Sequence, residues 1–127
     1  MARVSPRPQA APAPDAVLTK AVLRAADLLG LSSRVLSRIL GVSEASVSRL
    51  VSGSRTIDPA SKEGELALLL VRAYRSLDAL VGTDGPQRKA WLESPNRALN
   101  GRPIELLQRT DGLVHVVAYL DAMRAPA

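Results

Sequence analysis

Apolar residues recur along this chain at helical spacing, and nowhere with the two-residue alternation of a half-buried strand. The most regular stretch is 32–53, SSRVLSRILGVSEASVSRLVSG. There Leu36, Ile39 and Leu40 fall on one face of a first short helix, and Val47, Leu50 and Val51 on one face of a second. Gly41 stands between them, where the backbone has to reverse and a positive φ is cheap only for glycine. Ser37 is small enough to let the two helices meet closely, and Ser43, after the turn residue Val42, can cap the second. Together these positions predict a helix-turn-helix.

The flanking pattern is helical as well. Residues 1–14 hold four of the nine prolines and almost no large apolar side chain, which predicts a flexible tail whose Arg3 and Arg7 either touch phosphates or are solvated. Asp15 can cap a helix to about Leu29, with Val17, Ala21, Ala25 and Leu28 as its apolar stripe, Leu18, Val22 and Leu29 beside it, and Lys20, Arg24 and Asp27 opposite. Gly30 stops that helix and Ser32 or Ser33 caps the next. Residues 15–57 thus read as a helix-turn-helix domain, and 58–127 as a second helical unit.

That unit opens with the longest periodic run, about Ser61 to Leu80, with a seam of Leu66, Leu70, Ala73, Leu77 and Leu80. Leu68, Leu69 and Val71 widen it so far that the helix needs cover from more than one direction. It is either the central helix of the protomer or part of a contact between copies. Gly82 to Pro86 breaks it, and a short helix follows to near Leu92. A turn runs from Ser94-Pro95-Asn96 to Asn100-Gly101, and Pro103 opens a helix with Ile104, Leu106 and Leu107. Thr110 to Gly112 introduces a last helix with Leu113, Val116, Val117, Leu120 and Met123 on one side, and Ala125 to Ala127 form an unstructured tip. The fold class is all-α.

Composition narrows the chemistry. The absence of Cys removes disulfides and thiolate metal sites. His115 is the only histidine and has no second ligand at useful spacing, no Ser-His-acid set is suggested, and the glycines form no phosphate loop. No catalytic residue, metal, cofactor or small-molecule substrate is therefore expected. The longest apolar run, Leu66 to Val71, is six residues, against the ~20 that span a bilayer. With no apolar leader behind the N-terminal arginines, the expected location is the cytoplasm, with no membrane partner.

Charge points to a partner. Residues 1–57 carry eight bases against three acids, whereas 58–127 carry nine of each, so the whole excess of +5 lies with the helix-turn-helix. A polyanion is its natural partner. In this motif the second helix enters the major groove of operator DNA. With Val42, Val47 and Leu50 turned inward, the outward positions are Ser43, Glu44, Ala45, Ser46, Ser48 and Arg49. Arg49 can pair bidentately with guanine, Glu44 can accept from cytosine, and the Ala45 methyl can touch thymine. Arg34, Arg38 and Arg55 are better placed for phosphates. So thin a reading surface calls for two copies on a two-fold site, hence a homodimer, with the 61–80 helix as its candidate surface.

The second half carries an ordered set of residues: Trp91-Leu92, Pro95-Asn96-Arg97-Ala98-Leu99, Gly101-Arg102-Pro103, Glu105-Leu106-Leu107 and Gly112. This order resembles the toxin-binding domain of Xre/MbcA/ParS-type antitoxins, and with the helix-turn-helix the resemblance covers about Asp15 to Ala127. It implies an antitoxin that binds and blocks a cognate RES-domain toxin acting on NAD, and that represses its own operon. The resemblance makes Trp91, Pro95, Asn96, Leu99, Gly101 and Leu106 scaffold. It makes Tyr119, Asp121, Arg124 and Ala127, on the last helix and tip, the residues that reach the toxin. A NAD cleft offers cationic groups and apolar walls, so Asp121 or the terminal carboxylate can enter it as an anion, or Arg124 can meet an acidic rim. The alternative is a free-standing helix-turn-helix transcriptional regulator without a toxin partner; an adjacent reading frame for a RES-type protein separates the two. Two variants test the division of labour. Arg49→Ala is expected to weaken operator binding in a gel shift and leave toxin neutralisation intact. Truncation after Val117 is expected to abolish neutralisation while keeping fold and DNA contact.

Overall fold

Proline starts the first helix, where no amide hydrogen is needed: α1 runs Pro14–Leu28. The computed structural model describes residues 13–125. These form α1, α2 (Ser33–Leu40), α3 (Glu44–Ser52), α4 (Lys62–Val81), α5 (Gly85–Glu93), α6 (Pro103–Leu106) and α7 (Thr110–Arg124). Their one strand-like pairing is an antiparallel bridge between Asn96 and Gly101, and the fold is all-α. Arg3, Arg7 and most of the expected tail lie outside the described residues, as do Pro126 and Ala127 of the tip.

Serine caps begin three of the helices. Ser32 Oγ accepts from the Val35 N–H at 3.1 Å, Ser43 Oγ from Ser46 at 3.0 Å, and Ser61 Oγ from Gly64 at 3.0 Å. Gly41 ends α2 at φ 70°, its N–H on the Ser37 carbonyl, and Ser37 is buried between the helices. Asp15 departs from its expected role. It sits inside the first turn of α1, with Ala13 at the cap, and its carboxylate accepts from the Thr56 hydroxyl at 3.1 Å.

The core is organised on α4, which packs against α1, α2 and α7. Leu66, Ala67, Leu70, Val71, Ala73 and Leu77 are buried there, facing Leu18, Val22, Ala25 and Ala26 of α1 and Leu113, Val116, Val117 and Leu120 of α7. The helix has its cover from several directions within one protomer. Covering does not reach Leu80 or Leu68, which stay 40% and 54% exposed.

Three further apolar assignments from the periodicity need correction. Val17 is half exposed, because α1 turns Thr19 inward instead. The Thr19 hydroxyl accepts the Ile57 N–H at 2.8 Å and donates to the Asp15 carbonyl at 2.7 Å, so a backbone group buried in the core is satisfied only in this rotation. Val51 is 67% exposed on the rim of an open hollow that it shares with Leu23, Leu31 and Leu36, and Met123 is 56% exposed on the outer side of α7.

Two close approaches position the second half. A Cβ on Gly112 would stand 2.2 Å from the Leu106 carbonyl oxygen, and one on Gly64 2.2 Å from that of Asp58. Glycine is required where α7 crosses the end of α6. Arg88, 6% exposed, donates to Asp78 Oδ1 at 3.0 Å and to the Leu28 carbonyl at 3.4 Å, with its guanidinium over the Tyr74 ring, so one cation ties α5 to the ends of α1 and α4. We expect Gly112→Ala to lower stability by roughly 1–3 kcal/mol, since the backbone against it has nowhere to retreat. A urea unfolding midpoint unchanged from wild type would contradict that packing.

Candidate functional site

The candidate reading helix, α3, is built by its own serines. Ser43 caps α3 and its hydroxyl also donates to Ser46 Oγ at 3.0 Å. Ser46 Oγ in turn accepts from Arg49 Nη2 at 3.2 Å. One turn of side chains thus lays the Arg49 guanidinium along the helix and leaves its remaining N–H groups outward. Glu44, Ala45 and Ser48 are exposed beside it, while Val47 and Leu50, at 1% and 2% exposure, anchor the opposite face. The first turn of α3, with its unpaired amide ends and serine hydroxyls, is the part that a groove would meet.

The flanking cations divide into free and engaged. Arg34 is exposed on the first turn of α2. Arg38, exposed on its last turn, donates to Gln108 Oε1 at 3.3 Å, a bond that links the helix-turn-helix to the segment after α6. Arg55 is different: it forms a two-pronged pair with Glu63, at 2.8 and 2.7 Å. That hydrogen bonding holds the Arg55 pKa above its ordinary value, with partial desolvation opposing it. A phosphate at Arg55 would have to displace a carboxylate already in place. Glu63 lies eight residues on, across a loop, where no helical spacing announces the partnership.

The second surface is α7. Its inner side is core, yet its outer side is hardly more polar: Val114, His115, Ala118, Ala122 and Met123 all face out. A helix that is apolar nearly all round needs cover on both sides. Tyr119 is half-buried at the edge. Asp121 and Arg124 do not pair with each other; both reach α4. Asp121 accepts from Ser76 Oγ at 2.9 Å and forms an ion pair with Arg72, while Arg124 donates to the same Ser76 oxygen at 3.1 Å. Arg72 and Ser76 are the residues the sequence pattern did not single out. Ser76 is a polar position inside an apolar seam, 1% exposed, and that mismatch was its available signal. Ala127 lies outside the described residues.

The loop before α6 holds the remaining positions together. Asn96 and Gly101 exchange backbone hydrogen bonds at 2.9 and 3.2 Å, and Asn96 Oδ1 accepts from the Leu99 N–H at 3.1 Å. Leu99 is thereby buried, and Leu106 packs over Gly101 with side-chain carbons 3.6 Å from where a Cβ would be. Trp91 is half-buried and Pro95 exposed, and together with Val81 they line a shallow hollow.

The loss of Leu120 and of the Asp121 contacts changes the expectation for truncation after Val117. Leu120 is 1% exposed in the α4–α7 interface, and removing such a side chain costs about 2–5 kcal/mol. The shortened chain would lose core as well as surface, so it does not isolate the toxin contact. Among the described residues no helix is long and apolar enough to cross a membrane.

Comparison with known families agrees with this geometry. Residues 8–72 match the antitoxin Xre-like helix-turn-helix domain, and residues 76–125 match the antitoxin Xre/MbcA/ParS C-terminal toxin-binding domain. No curated protein matches the chain. The boundary between the two matches falls inside α4, so the two halves share a helix where a linker would otherwise stand. With a DNA-reading helix-turn-helix and a toxin-binding domain in that order, the chain belongs to the Xre-like antitoxin family.

Proposed function

We propose that this protein neutralises a RES-domain toxin that consumes NAD, by covering the mouth of its active site with α7, and that it represses its own operon through α3. The observation that carries the reading is the uncovered apolar side of α7, within the segment matched to the toxin-binding domain. The RES and NAD assignments rest on the family resemblance of that half. The two-unit division into 15–57 and 58–127 is kept as a division of surfaces, and two copies of the chain on one operator are part of the same proposal.

The arrangement at the end of α7 favours one of the two modes of toxin contact. The Asp121 carboxylate is already satisfied by Arg72 and Ser76, so offering it to a phosphate-binding cleft would strip it of two partners. Arg124 donates one hydrogen bond and keeps further N–H groups for a partner. The contact we favour is therefore Arg124, supported by Arg72, against an acidic rim, with Val114, Ala118 and Met123 filling the apolar part of the mouth. For DNA, Arg49 reads a base while Arg34 and Arg38 take phosphates.

Co-expression with the neighbouring gene tests the reading directly. The two proteins should co-purify and the antitoxin should restore growth; a neighbour that is not a toxin, or that does not bind, favours the free-standing regulator. Ala118→Glu and Met123→Asp are expected to weaken toxin binding more than tenfold while operator gel shifts stay unchanged. Arg124→Glu should lose neutralisation with the fold intact, whereas a loss seen only with Asp121→Asn would restore the anion mode. Arg49→Ala should cost about 1–3 kcal/mol of operator discrimination, read as a reduced preference for operator over unrelated duplex.

A further inference from the structure

A second apolar surface lies away from α3 and α7. Pro14, Val17, Leu18 and Ala21 of α1 face Gly64, Leu68 and Val71 of α4 across an open groove of about 470 Å³. Its two ridges are Val17 and Leu68, 50% and 54% exposed. Large apolar side chains on both walls of one groove are unusual on a surface that only meets water.

The groove has a direction. Thr56 on Asp15 and the Ile57 N–H on Thr19 hold the approach to α4 against the start of α1. Arg88 holds the end of α1, at Leu28, to Asp78 near the end of α4. The two helices therefore run side by side in the same sense. At the starting end a neighbouring hollow, sharing Pro14 and Pro59 with the groove, is lined by Asp15 and Asp58. At the other end stand Arg75, on the groove wall, and Arg24, one turn beyond Ala21 and exposed. Among the described residues none of these four charges forms an ion pair: Asp15 accepts from Thr56 and Ala16, and Asp58 from the Ala60 N–H.

An apolar strip with acids at one end and bases at the other is self-complementary under a two-fold rotation. Turned end for end, a second strip sets its Arg24 and Arg75 on Asp15 and Asp58, and its Val17 and Leu68 into the facing groove. We propose that this groove is the contact between two copies of the chain. The assignment takes up the two-copy part of the function proposed above and gives it a surface that leaves α3 and α7 open, so one dimer presents two reading helices and two toxin-binding faces. Leu68 and Arg75 of α4, rather than the apolar seam of Leu66, Leu70, Ala73 and Leu77, are then its contact residues, because that seam is spent within the protomer.

Sedimentation of the full chain without DNA or toxin tests the proposal. The wild type should be a dimer, and Leu68→Asp should raise the dimer dissociation constant at least tenfold with unchanged helical circular dichroism. Asp58→Arg and Arg75→Glu should each weaken the dimer at low salt, and the two combined in one chain should restore it. Such restoration is specific to an end-for-end contact and holds the test open if Leu68→Asp fails to fold. A wild type that is monomeric at high micromolar concentration, a dimer indifferent to Leu68→Asp, or a double swap no better than either single overturns the proposal. Each of those results leaves the operator and toxin assays free to succeed, and failure of those assays leaves the dimer measurement standing.

Discussion

Burial of α4 is the constraint that the other elements answer to. Six of its apolar side chains, from Leu66 to Leu77, sit in the core, and each of the four leucine and valine side chains among them contributes about 1.5–3 kcal/mol only if it stays away from water. No single neighbour can cover that much of one helix. α1, α2 and α7 each take a side, and α1 and α7 are held in place by polar contacts: Thr19 with Ile57, Arg88 with Asp78 and Leu28, Asp121 with Ser76. Hydrophobic burial supplies the driving force, and the buried or half-buried hydrogen bonds fix the rotation of those two helices.

That rotation decides what is left outside. Because α2 and α3 spend Leu36, Ile39, Leu40, Val47 and Leu50 on the core, Glu44, Ala45, Ser48 and Arg49 have only solvent to face. Because α7 spends Leu113, Val116, Val117 and Leu120 on α4, Val114, Ala118 and Met123 cannot be hidden in the same protomer. The surfaces proposed here for DNA reading and toxin binding are, in this sense, the residues left over once α4 is covered.

Local chemistry made much of this legible in the sequence. The helix-turn-helix could be read because its turn needs a glycine at 41 and its helices need caps at 32 and 43, all within reach of one another along the chain. The long helix after Ser61 could be read from its leucine spacing. What escaped was set by contacts between distant residues. Thr19 faces inward to meet Ile57, which turned the α1 stripe by one position and left Val17 outside. Arg55 is engaged by Glu63 across a loop, and Arg72 by Asp121 from α4 to α7, so neither pairing leaves a trace in periodicity. Val51 looked apolar and helical, and it is both, but it stands at the rim of an open hollow beside Leu23 and Leu31, where its neighbours do not close over it.

One feature of the chain's organisation bears on its lifetime in the cell. Since the two family segments meet in the middle of α4, a protease finds a packed helix and not a linker at the boundary between them. Opening that helix strips cover from α1 and α7 together. On the function proposed above, turnover of the protein would lift repression and release the toxin in a single event, with timing set by the local unfolding of one shared helix.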